Sequence, residues 1–142
     1  MQDIEIFGRN GGTSATKHRK GNFVTINTKN RNAYLSRDAR DLIFGKGSGK
    51  EGRLLIIHSK IERQWYFAKA GGDLFAEGFE CVQNDAKKED SVWRINGAFD
   101  TLKKMTAELS GNRQTERFVL TFDQNPKVYE NMNLYRVILT TK

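Results

Sequence analysis

From residue 23 the chain alternates apolar and polar positions with the two-residue period of a half-buried strand: Phe23–Thr28 reads FVTINT, with Val24 and Ile26 on one side. Lys29-Asn30-Arg31-Asn32 interrupts it as a turn, its two asparagines suited to left-handed backbone angles. Ala33-Tyr34-Leu35 then returns as a second strand. The period next changes to that of a helix. Ala39, Leu42 and Ile43 share one face, Ser36 is the expected N-cap, Asp38 sits in the first turn and Gly45 follows the last. Beyond the glycine-rich loop GKGSGKEG, the runs RLLIIH and QWYFAK predict a second hairpin joined through Ser59–Arg63.

The remaining chain repeats this order. LFAEGFECV supplies one or two strands and Asn84–Asp90 a polar loop. Val92–Ile95 is a strand and Asn96 the next expected N-cap. Ala98, Phe99, Leu102, Met105 and Leu109 recur at helical spacing, up to Gly111-Asn112. RFVLTF and LYRVILTT close the pattern, joined by a loop holding the single proline, Pro126. Leu35-Ser36, Ala39 and Leu42 superpose on Ile95-Asn96, Phe99 and Leu102 at a constant offset of 60 residues. Arg53–Ile56 matches Arg117–Leu120, and Trp65–Ala68 matches Tyr135–Ile138. The expected fold is α+β, a small β-barrel-like domain of two hairpin–helix–hairpin repeats at 23–71 and 72–142. One such unit buries too little surface to stand alone, so the two share a core. Residues 1–22, with four glycines between positions 8 and 22 and no apolar period, read as a flexible basic arm.

Composition narrows the function. The 142 residues carry a net charge of +7. The whole excess lies in residues 1–60, and positions 6–37 hold no acidic residue while carrying Arg9, Lys17, Arg19, Lys20, Lys29, Arg31 and Arg37. Such a one-sided balance implies a polyanionic or acidic partner. No apolar run approaches the roughly 20 residues of a membrane span. With one cysteine, Cys81, no internal disulfide forms, and the expected location is cytoplasmic, in a bacterial cell or encoded by a phage.

The segment Phe23–Lys69 resembles the swapped-hairpin family of AbrB-type regulators and MazE-type antitoxins. It carries a strand, a turn with a basic residue, a short strand, a capped helix and a second hairpin: VTINTKNRNAYLSRDARDLIFG, then RLLIIH and QWYFAK. Arg31 stands at the family's turn arginine and Arg40 at its helix arginine. The chain departs from the pattern at Asn30, where the family has a turn glycine, and in its long loop after the helix. The resemblance implies DNA binding through the N-terminal hairpin, by a homodimer or by one chain with internal pseudo-symmetry.

Other chemistries find little footing. Gly49-Lys50 mimics the end of a phosphate loop, but Phe44 and Glu51 occupy the positions that need Gly and Ser or Thr. His18, His58 and Cys81 match no zinc spacing. No catalytic, metal or cofactor residues are assigned, and the chain is expected to be a non-enzymatic nucleic-acid binder, of double-stranded DNA rather than RNA, with a regulatory role. Lys29 and Arg31 at the turn, Tyr34 beside it, Arg37 and Arg40 on one helical face, and Lys17, Arg19 and Lys20 in the arm form the expected contact set. The competing classes are an interaction or phage structural module meeting an acidic protein, and a single-strand binder.

Overall fold

A computed structural model describes residues 21–45, 51–83 and 92–140. The arm at 1–20, the glycine-rich loop at 46–50 and the polar loop at 84–91 lie outside the described residues. Among the described residues nine strands form in chain order: β1 Phe23–Asn27, β2 Asn32–Leu35, β3 Glu51–Ser59, β4 Gln64–Lys69, β5 Phe79–Gln83, β6 Trp93–Ile95, β7 Arg117–Phe122, β8 Lys127–Tyr129 and β9 Met132–Leu139. Two helices join them, α1 Arg37–Phe44 and α2 Phe99–Ser110. The pairing order is β4-β3-β5-β6-β2-β1-β7-β9, and β9 pairs back onto β4. Eight antiparallel strands therefore close a small barrel, and β8 extends β9 as a hairpin outside the ring.

Closure removes the exposed edges of the barrel strands, and the alternating residues fill the interior. Val24, Ile26, Leu35, Leu54, Phe67, Cys81, Trp93 and Leu120 all point inward and are fully buried. Phe67 of β4 and Phe122 of β7 pack at 5.1 Å between centroids. On β4, Trp65 and Phe67 belong to this core, whereas Tyr66 and Ala68 face outward into a smaller cluster with Leu134. The alternation in QWYFAK thus sorts its aromatics as expected.

The antiparallel directions give the barrel two distinct ends. The β1–β2 turn marks one, called here the hairpin end. The chain leaves β6 at that end, forms α2 and re-enters at β7, so that Leu102 and Met105 plug the barrel. α1 closes the opposite end through Ala39, Ile43 and Phe44. Ser36 caps α1 as expected: its hydroxyl oxygen accepts from Ala39 N and from Phe23 N, and its hydroxyl donates to Gly21 O. The flexible arm was expected to reach residue 22, yet Asn22 is buried and its side chain accepts from Thr121 Oγ1 and Phe122 N.

LFAEGFECV supplies one strand, β5, and Leu74-Phe75-Ala76 is part of an exposed 3₁₀ turn over Gly72–Glu77; two other sequence expectations, at Asn96 and β8, need correction. Gly78 then passes so close to β3 and to the end of β4 that an added Cβ would sit 2.8 Å from Arg53 Cβ and 2.7 Å from Ala70 Cβ. Asn96 does not cap α2. Its backbone N–H donates to Glu80 O, its side-chain oxygen accepts from Arg94, and Gly97 at φ 75° turns the chain before Ala98 takes the cap position. The β8 strand was missed because its three residues, KVY, are exposed throughout and show no alternation.

The core makes two checkable demands. Trp93, fully buried and 5.3 Å from the Phe44 ring, should cost about 3–5 kcal/mol of stability when replaced by Ala, read by denaturant titration. Burial, reinforced by the charge of Glu80, pushes the Cys81 thiol up to about 12. Native protein should therefore resist thiol alkylation at pH 8–9 and react at once when unfolded; prompt labelling of the folded chain would contradict this packing.

Candidate functional site

The β1–β2 turn carries Lys29 and Arg31 and is tied down on both sides. Asn27 Oδ1 accepts from Asn30 N at 2.9 Å. Thr28 donates its N–H to Glu116 O and its hydroxyl to Thr115 O, at 2.9 and 2.7 Å, which anchors the turn to the loop after α2. The left-handed residue is neither asparagine but Arg31, at φ 58°. That conformation costs a side-chain-bearing residue about 1–2 kcal/mol. Its guanidinium compensates by lying 4.6 Å from the centroid of Phe99 and 3.6 Å from Asp100 Oδ1. Both partners of this ion pair are open to water, at 64% and 94% exposure, so the pair is loose.

Beside Arg31 opens a groove of about 360 Å³ between the turn, α2 and the α2–β7 loop. Arg31, Lys103 and Arg113 line it, and no carboxylate does. Arg113 lies 5.3 Å from the centroid of the buried Phe118, so two of the three cations are oriented by aromatic rings. Asn112, Gln114, Thr28 and Thr115 add neutral donors and acceptors. Gly111 and Asn112, both left-handed at φ 67° and 65°, bend the chain back after α2 and bring Arg113 to the groove.

The expected contact set is divided by the fold. Lys29 and Arg31 stand exposed at the hairpin end. Tyr34 is half-buried on the barrel's outer face, in register with Thr25 and Arg94. Arg37 is exposed at the opposite end, six residues along from Arg31, or about 20 Å of extended chain. Arg40 does not share that exposure. It is only 9% accessible, donates to Asp41 Oδ1 at 2.9 Å and packs 5.2 Å from the Trp93 ring, because the inward face of α1 extends past Ala39 to include it. Lys17, Arg19 and Lys20 lie outside the described residues. Lys103 and Arg113 were missed, since they belong to a half of the chain whose charges balance. The signal present was local: the pair Lys103-Lys104 on α2, and Arg113 after the helix-ending Gly111-Asn112.

Among the described residues no group of three or more His, Cys, Asp or Glu side chains is placed to hold a metal ion. No described helix is long and apolar enough to cross a membrane. Compared with known proteins, the chain matches no family model, no curated protein and no solved structure.

The two helix arginines should separate cleanly on substitution. Arg40→Ala strands Asp41 and unpacks Trp93, and should lower stability by about 2 kcal/mol. Arg37→Ala should stay within about 0.5 kcal/mol of the parent protein. Chemical denaturation of the two variants checks both values, and equal effects would contradict their different burial.

Proposed function

We propose that this protein is a non-catalytic nucleic-acid-binding protein whose contact surface is the hairpin end of the barrel. The observation that carries the reading is the groove lined by Arg31, Lys103 and Arg113 without a lining carboxylate, next to the exposed Lys29. Phosphates need cations that the protein has not already neutralised, held where desolvation is small. Lys103 and Arg113 meet both conditions, Arg31 meets them through a loose, water-screened pair with Asp100 that phosphate can displace, and Arg40, fixed to the shielded Asp41, meets neither. The surface therefore draws on both halves of the chain, unlike the N-terminal surface expected from charge distribution alone.

We also infer that the barrel is an internal duplication of a hairpin–helix–hairpin unit, in keeping with the resemblance to swapped-hairpin regulators. Support comes from strand pairing. Exchanging β1, β2, β3 and β4 for β5, β6, β7 and β9 turns each ring contact into another: β1–β2 into β5–β6, β3–β4 into β7–β9, β1–β7 into β5–β3. The two remaining contacts map onto themselves. Tyr34 faces Arg94 across β2–β6, and Tyr66 faces Arg136 across β4–β9, at the same 60- and 70-residue spacings by which the sequence matches itself. Under this exchange α1 and α2 plug opposite ends. α1 brings the exposed Arg37 to its end, whereas α2 and the loop after it group Lys103 and Arg113 with Arg31 around one groove, so the clustered cations of the duplicated scaffold lie at one end, consistent with a single chain contacting its ligand from there.

Gel shift or fluorescence anisotropy with short DNA tests the reading. If Lys29, Arg31, Lys103 and Arg113 each neutralise one phosphate, log affinity should fall against log salt with a slope of roughly −3.6 on duplex and roughly −2.8 on single strands. The double variant Lys103→Glu/Arg113→Glu should bind at least about tenfold more weakly, a loss of about 1.4 kcal/mol or more. Arg37→Glu, at the other end, should bind nearly as the parent does. Parental binding by the double variant would remove the proposed surface.

A further inference from the structure

We propose that the groove at the hairpin end receives one unpaired nucleotide, base together with phosphate, so that the protein prefers single strands to duplex. This rests on the nucleic-acid reading above and specifies which form of the polymer is bound. Size comes first. At about 360 Å³ the groove falls at the lower end of the roughly 300–1,000 Å³ typical of small-ligand sites, room for one nucleotide but not for a stacked base pair.

Chemistry comes second. A duplex binder needs cations spread along a backbone track, but here three cations converge on one concavity, two of them already seated on rings. The Arg31 guanidinium lies over Phe99, and the side chain as a whole remains 64% exposed. A guanidinium plane held in this way offers its outer side to a nucleobase, the mode by which unpaired bases are stacked on arginine or aromatic groups. Lys103 and Arg113 then supply the charge for the attached phosphate. The amides of Asn112 and Gln114, on the loop that borders the groove, carry the paired donors and acceptors that address a base edge free of its Watson–Crick partner. In a closed duplex that edge is occupied and the base face is stacked, so neither feature of the groove would be used.

Asp100 fits the same picture. It is the carboxylate that touches Arg31, and at 94% exposure it holds the guanidinium loosely over Phe99 until phosphate competes for it. Asp100→Asn should therefore tighten single-strand binding about two- to fivefold at low salt, as expected from removing one exposed counter-charge.

The test compares the whole protein on a fluorescein-labelled 12-nucleotide single strand and on the blunt duplex of the same sequence, with AMP and inorganic phosphate as competitors. The expected result is binding to the single strand at least about tenfold tighter than to duplex. Arg31→Lys, which keeps the charge but loses the plane, should weaken single-strand binding far more than duplex binding and so erase most of that preference; Gln114→Ala, at an exposed position, should lower the preference too and does not depend on the left-handed turn. Competition by AMP at the strand's own concentration range would identify a free nucleotide as the ligand, whereas competition only at much higher concentration would identify an unpaired residue of a strand. Equal competition by AMP and inorganic phosphate, or a duplex bound as tightly as the single strand with Arg31→Lys behaving as parent, would overturn the proposal while leaving the nucleic-acid reading in place. Absence of binding to either form would overturn both.

Discussion

Pairing of β4 with β9 joins a strand from the middle of the chain to the last strand, Tyr66 facing Arg136, and closes the sheet on itself. Without it β4 and β9 would each present an open edge, and the inward faces of both hairpins would lack a common interior. Closure lets Phe67 and Phe122 meet across the barrel and leaves only two openings. Each opening is plugged by a helix that departs from one strand and returns to another. The position of the β1–β2 turn beside α2, and with it the groove, follows from that arrangement: the turn reaches Phe99 because α2 lies over the end it projects from.

The cations illustrate how a fold partitions like charges between stability and exposure. Arg40 and Arg31 are both near a carboxylate and both lie over an aromatic ring. They differ in water. Around Arg40 the carboxylate is also shielded, at 18% exposure, so the pair is fixed and the side chain belongs to the packing of α1. Around Arg31 water screens the pair, and the guanidinium remains able to exchange partners. A third arrangement ties the β8–β9 hairpin to the β3–β4 turn. Lys127 Nζ and the Tyr66 hydroxyl each donate to Glu62 at 2.8 Å, and these bonds, Lys127's foremost, hold the Glu62 carboxyl below the usual carboxylate range.

Much of the scaffold was legible in the order of residues. Period-two segments such as FVTIN and RFVLTF became strands with the buried faces their alternation requires, and Ser36 capped α1 while its hydroxyl also tied down Phe23 and Gly21 at the start of β1. The failures have local causes. Asn96 looked like a cap, but a ladder bond to Glu80 claimed its backbone. LFAEGFECV left one or two strands open, and only its second half formed one, with Leu74 and Phe75 in the 3₁₀ turn before it. The site was less legible than the fold. Net charge by chain segment marked Lys29 and Arg31 but also Arg37, which the length of β2 carries to the other end. It passed over Lys103 and Arg113, whose grouping with Arg31 depends on contacts between residues some 70–80 positions apart.

The β8–β9 hairpin turns through Glu130 and Asn131, both with positive φ, at the same end as α1. A two-residue loop of this kind is set by its flanking strands, and its residues are exposed to solvent. It stands outside the closed ring and shares no residue with the groove. A biotin-acceptor peptide spliced between Glu130 and Asn131 would thus emerge at the pole away from Arg31 and Arg113. Captured by that handle on a sensor chip, every molecule would present the same uncovered pole to the solution.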